Sequence, residues 1–205
     1  MGGATGTLII ACGALANEIV ALRKLNDWPH LEVQCLPAEL HNRPEKIPAA
    51  VREKIHANRG RYASMFVAYA DCGTGGLLDM VLAEEKVERI AGAHCYEFFA
   101  GSAVFAELAE KEVGTFYLTD FLLRHFERLV MQGLGIASHP ELLQVYFGNY
   151  RKLVYLAQLE SPQGIADGQR AADRLGLEFE YRVTGYGELE HSMRRVVEGV
   201  ISWRN

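Results

Sequence analysis

Residues 64–76 read Ser-Met-Phe-Val-Ala-Tyr-Ala-Asp-Cys-Gly-Thr-Gly-Gly, and Leu77-Leu78 follow at once. A short apolar run, a glycine-rich punctuation and a renewed apolar segment predict a strand to Ala70, a turn over Asp71–Gly76 and a helix over Leu77–Glu85. The same pattern stands at the start of the chain. Leu8-Ile9-Ile10-Ala11 runs into Cys12-Gly13, and then Leu15, Ile19, Leu22 and Leu25 recur at helical spacing. Strand, Cys-Gly, helix thus occurs twice. Two units of this kind decide the fold class, because near-continuous apolar strands alternating with helices need a parallel sheet buried on both faces.

Working outward, Leu31–Leu36, Val87–Ala93, Thr115–Leu118, Leu153–Gln158 and Leu177–Val183 read as further strands. Helices are expected from Pro44 to Asn58, around Phe98–Lys111, over Gly164–Leu175 and over Glu188–Trp203, where Leu189, Met193, Val196, Val197, Val200 and Trp203 form an apolar stripe. Between the fifth and sixth strands Phe121–Gln132 and Pro140–Phe147 are helical in pattern. No Pro-, Ser- or Gly-rich linker divides the chain. The expectation is a single α/β domain over residues 1–205, a mostly parallel, doubly wound sheet with a helical insertion at about 119–150.

The chain has 205 residues, of which 49% are hydrophobic and 23% charged, with a formal charge of −5. That is enough chain to bury a core without disulfide or metal staples. An acidic balance with no concentrated basic face argues against nucleic acid. No window of about 18 apolar residues exists to span a membrane. The N-terminal residues lack a basic start and a long apolar run, so the chain reads as soluble and cytoplasmic.

Four cysteines occur, Cys12, Cys35, Cys72 and Cys95, with no C-x-x-C pair. Cys35 sits inside the apolar run Val33–Leu36 and reads as core. The other three fall at the carboxyl ends of expected strands. In an open parallel sheet those ends share one edge, where ligands bind. Two of them precede glycine close to a helix N-terminus, a setting that lowers a thiol pKa. Cys12, Cys72 and Cys95, with His94 beside the last and His41 in a loop on the same edge, therefore form a candidate metal set. Three thiolates and one open or His position suit Zn²⁺; three cysteines can also hold an iron–sulfur cluster. His41 and Glu97, one turn beyond Cys95, are candidate acid–base residues. Gly73, Thr74, Gly75 and Gly76 could instead cradle an anion at a helix N-terminus, although neither the P-loop nor the G-x-G-x-x-G pattern is present. Tyr69 reads as core, and no G-x-S-x-G elbow supports serine nucleophile chemistry.

Tyr69-Ala70-Asp71-Cys72-Gly73-Thr74-Gly75, His94-Cys95 with Gly101-Ser102, and Gly114-Thr115-Phe116-Tyr117 together resemble domain-of-unknown-function family 1638. His41 with Pro44-Glu45-Lys46 resembles that family's His-x-x-Pro-x-Lys segment. The likeness covers roughly residues 8–160. The chain departs from the family at Ala70, where a Gly is usual, and at Val113, where a Pro is usual. It also lacks the Asp between His94 and Cys95, which removes a carboxylate from beside that imidazole. The resemblance implies an association with corrinoid-dependent methyl transfer.

The leading expectation is a metal–thiolate protein, an enzyme or enzyme component in methyl transfer. Its partners would be a small-molecule substrate and a corrinoid protein; a homo-oligomer is left open. Two alternatives stand beside it: a non-catalytic carrier of a corrinoid or iron–sulfur cofactor, and a metal-free enzyme taking a phosphate-bearing ligand at Gly73–Gly76.

Overall fold

The structure is a computed structural model that describes residues 5–199. The chain is α/β, and among the described residues the strands pair only in parallel, within two sheets. It divides into two compact units. Among the described residues, one contains 5–95 together with 188–199, and the other is Tyr96–Gly187.

In the first unit β1 (Thr7–Cys12), β2 (Leu31–Leu36), β3 (Ser64–Ala68) and β4 (Glu88–Arg89) lie in the order β2-β1-β3-β4. Every residue of β1 is buried, as a central strand with both neighbours in place demands. The helices are α1 (Ala16–Leu25), α2 (Ile47–Asn58) and α3 (Leu77–Glu85). The expected fourth strand shrinks to Glu88–Arg89. Beyond it the chain keeps beside the β3 end through single bonds, from the Ile90 N–H to the Val67 carbonyl (3.2 Å) and from the Asp71 N–H to the Gly92 carbonyl (3.1 Å). Gly92 turns there at φ +112°, which breaks the regular ladder.

The helix expected around Phe98–Lys111 is two helices, α4 (Cys95–Ala100) and α5 (Ser102–Lys111), because Gly101 between them takes φ +81°. The second unit carries β5 (Thr115–Thr119), β6 (Lys152–Ala157) and β7 (Glu178–Val183), ordered β5-β6-β7. Between β5 and β6 lie α6 (Asp120–Arg124), a π-helical turn over Glu127–Gln132 and α7 (Leu142–Phe147), where a helical insertion was expected. A longer helix, α8 (Pro162–Leu175), follows β6. Ser161 caps it by accepting the Gly164 N–H at 3.1 Å, Pro162 sits in its first turn, and Gly176 at φ +70° ends it. Leu118, Phe126, Val130, Leu153 and Ala172 are among the residues of this unit's core.

The last helix, α9 (Gly187–Val197), buries Leu189, Met193 and Val196 from the expected stripe. Val200 and Trp203 lie outside the described residues. Among the described residues no helix is long and apolar enough to cross a membrane.

Candidate functional site

The carboxyl ends of β1–β4 bring the predicted positions of the first unit to one edge. Cys12 is the last residue of β1 and pairs with Leu36 of β2. On its other side Ala11 pairs with Ala68 of β3, so Tyr69 is the next residue in line with Cys12. Gly13 is required here: a Cβ would stand 3.0 Å from the Leu36 carbonyl oxygen and 3.3 Å from the Ala38 nitrogen. His41 lies on the 3-10 turn Ala38–Asn42 that follows β2. Cys72 lies in the loop after β3, and His94 and Cys95 follow the irregular run after β4.

Cys72 carries the local strain. Its φ is +51°, a left-handed conformation uncommon for a residue with a side chain. Its N–H donates to the Ala93 carbonyl at 2.8 Å, and its sulfur accepts backbone hydrogen bonds from Ala70 and Cys95. The strand-end loop and the Cys95 segment thus pin one thiol between them. Arg89 fixes the same segment from below, donating to the Ile90 carbonyl at 2.7 Å and forking onto Asp79 of α3 at 2.6 and 2.9 Å.

Cys12 and Cys72 are 4% and 7% exposed, and Tyr69 near them is 1% exposed. None of the four cysteines is in a disulfide. The sequence predicts lowered thiol pKa values here; the structure reverses that. Burial pushes Cys72 up to about 12, with the neighbouring Cys12 adding to it, and burial likewise raises Cys12. Neither thiol sits on the first turn of an α-helix, so desolvation outweighs any dipole. Both are neutral S–H groups near pH 7. Tyr69 is held neutral for the same reason, burial first and the Cys12 neighbour second. His41 is pushed below its ordinary value by burial and then by His94, so a neutral imidazole is available. Cys35, expected in the core, is exposed instead, because β2 is an edge strand and turns that side chain outward.

The structure therefore joins Cys12, Cys72 and Tyr69, sets the Cys95 backbone on the Cys72 sulfur, and puts His41 within electrostatic reach of His94. Among the described residues no three His, Cys, Asp or Glu side chains are grouped so that they could hold a metal ion. Glu97 belongs to the second unit.

A family model described as a protein of unknown function, DUF1638, matches residues 35–193. The chain belongs to the DUF1638 family. No curated protein and no solved structure matches it. The DUF1638 match takes in His41, Tyr69, Cys72 and Cys95 and begins after Cys12.

The glycine loop of this DUF1638 chain already has its anion. Asp71 accepts the Thr74 hydroxyl at 2.6 Å and the N–H groups of Gly76 and Gly75 at 2.9 and 3.1 Å. These bonds, the Thr74 one foremost, hold the Asp71 carboxyl below its usual range. Of the N–H groups that would cradle a phosphate at Gly73–Gly76, those of Gly75 and Gly76 are taken by this carboxylate and that of Thr74 by the Asp71 carbonyl at 3.0 Å. The second sheet's carboxyl edge, taken by itself, is similar. Asp120 accepts the Tyr155 hydroxyl at 2.7 Å and the N–H groups of Leu159 and Gln158 at 3.0 and 3.2 Å, while its own N–H donates to the Gln158 side chain at 2.9 Å.

Sequence reading missed Tyr69, whose place in an apolar strand reads as packing. No sequence signal gives its position: aligning the two Cys-Gly strand ends would set Cys72 opposite Cys12, and only the observed pairing of Ala11 with Ala68 brings Tyr69 in line with Cys12.

Proposed function

We propose that this chain is a metal–thiolate protein that takes part in methyl transfer to a thiol, as an enzyme or enzyme component. Cys12, Cys72 and Cys95 would hold Zn²⁺ or an iron–sulfur cluster, with the neutral His41 imidazole or His94 completing the set. The observation that supports this most is the pair of buried thiols, Cys12 and Cys72, set side by side at a parallel-sheet edge with one of them in strained backbone. Strain concentrates at functional sites. Two soft sulfur donors in a water-poor setting suit Zn²⁺ or iron and disfavour Mg²⁺ or Ca²⁺. Zinc, when bound, would supply Lewis acidity and hold an incoming thiol as thiolate. The chain's own contribution would be to position the sulfurs and exclude water.

The reading makes a definite demand on Cys95, since Cys12 and Cys72 alone are too few ligands for such a site. Protein purified without air or chelator should hold about one zinc, or iron with matching sulfide, per chain, and Cys95→Ala should lose it. A Cys95→Ala protein that keeps its full metal content would overturn the proposal.

A further inference from the structure

Among the described residues β7 has β6 on one flank and no strand on the other. The Glu178 N–H donates to the Arg151 carbonyl and the Thr184 N–H to the Ala157 carbonyl, both at 2.9 Å. In a parallel ladder alternate residues turn their backbone groups to the same neighbour, so Glu180 and Arg182 also face β6. Phe179, Tyr181 and Val183 face away, and among the described residues their N–H and carbonyl groups have no partner.

An open edge of this kind is a template for another strand unless something blunts it. β7 contains no proline, glycine or lysine. The other edges differ. β5 is mostly buried, β4 is two residues long, and β2 runs into Pro37 and carries a single charge, Glu32.

Glu178-Phe179-Glu180-Tyr181-Arg182-Val183 is complementary to itself run backwards. Antiparallel pairing about Tyr181 sets Phe179 opposite the partner's Val183, Tyr181 opposite the partner's Tyr181, and Glu180 opposite the partner's Arg182. Outward-facing residues then meet outward-facing residues throughout, as hydrogen-bonded antiparallel pairs require. Phe179 and Tyr181 lie on the face that packs on the unit's core, and Val183 on the same face is left 53% exposed. On the opposite face Lys152 and Arg182 hold Glu180 at 2.9 and 2.7 Å. A slip of two residues would set Glu180 against the partner's Glu180 or Arg182 against the partner's Arg182, and like charges directly opposed are unfavourable. The charges therefore select one register.

We propose that β7 is a dimer edge, pairing antiparallel with β7 of a second copy of this chain and joining two three-stranded sheets into one. The contact is isologous, so each copy gives and receives the same bonds. Main-chain hydrogen bonds supply the affinity and the cross-strand side chains the specificity.

The test is sedimentation equilibrium of the full-length protein across the micromolar range, with Arg182→Glu, Glu180→Arg and an equimolar mixture of the two. Wild type should dimerise. Each variant alone opposes like charges at both symmetry-related pairs and should weaken the dimer roughly tenfold or more, while the mixture should regain it as a heterodimer. Amide deuterium exchange of wild type needs no variant: the Phe179, Tyr181 and Val183 amides should slow as concentration rises. Wild type that stays monomeric at high micromolar concentration overturns the proposal and leaves the edge to some other extended segment. Dimers of wild-type strength in both variants, or a dimer whose three edge amides exchange at the monomer rate, overturn it in favour of another surface. A mixture that associates no more tightly than its components overturns the register.

Discussion

Two parallel-sheet edges in this chain, each with a polar group at its centre, handle that group in opposite ways. After β5, Asp120 has a partner for each oxygen: a tyrosine hydroxyl and two backbone N–H groups. After β1 and β3, two thiols and a phenol are buried near one another, and the phenol has no oxygen or nitrogen partner, only the Cys12 thiol. The first pattern is that of a structural brace, a carboxylate that ties β5 to the end of β6. The second compensates desolvation only through weak bonds to neutral sulfur. An edge of the right topology is thus not enough to mark a site; unsatisfied chemistry at that edge is the sharper signal.

Raising the pH should break the comparison first and furthest. In metal-free protein the Cys72 pKa is up at about 12. A thiol whose pKa is higher folded than unfolded stabilises the fold fully below its unfolded value, and that contribution is lost as pH rises toward the folded one. The stability lost between pH 9 and 12 should be on the order of 3–5 kcal/mol, measured as a falling denaturant midpoint. Cys72→Ala should flatten that fall; an equally steep alkaline loss in the variant would show that burial of this thiol is not its source.

Asp120→Ala should come next, at roughly 2–3 kcal/mol, because it strips partners from Tyr155, Gln158 and Leu159 at once. Its effect should appear in the unfolding midpoint and leave metal content alone. A loss of metal in Asp120→Ala would erase the distinction between brace and site. Tyr69→Phe stands at the small end, at about 1 kcal/mol or less in the unfolding midpoint, because its hydroxyl gives up only a bond to a neutral thiol.

Much of the architecture was legible because it rests on local rules. Pro162 and Gly176 bracket α8, and the wholly apolar Leu8–Ala11 could only be an interior strand. The division into two sheets was not legible, since an apolar run specifies that a strand is buried and not which strand lies beside it. The narrowing of the fourth strand depends on Gly92 and on bonds to the Asp71 loop, both of them tertiary. At the site, the positions of Cys12 and Cys72 followed from strand ends and glycines. Their protonation did not, because burial is a property of the assembled unit and it outweighed the expected helix effect. The left-handed backbone of Cys72 leaves no trace in a cysteine codon position, whereas a glycine would have announced it. The Asp71 brace was available to a closer reading: Asp with Thr three residues later, ahead of glycines, is a side-chain-to-backbone turn pattern.

The central claim is that the thiols of the first edge bind a metal, and X-ray absorption at the metal edge of anaerobically purified protein tests it most directly. The account predicts sulfur neighbours at about 2.3 Å, three in a zinc site with one nitrogen from histidine, or a full sulfur shell around iron. A shell of oxygen and nitrogen alone would contradict it, and so would protein that carries no metal after purification without air or chelator.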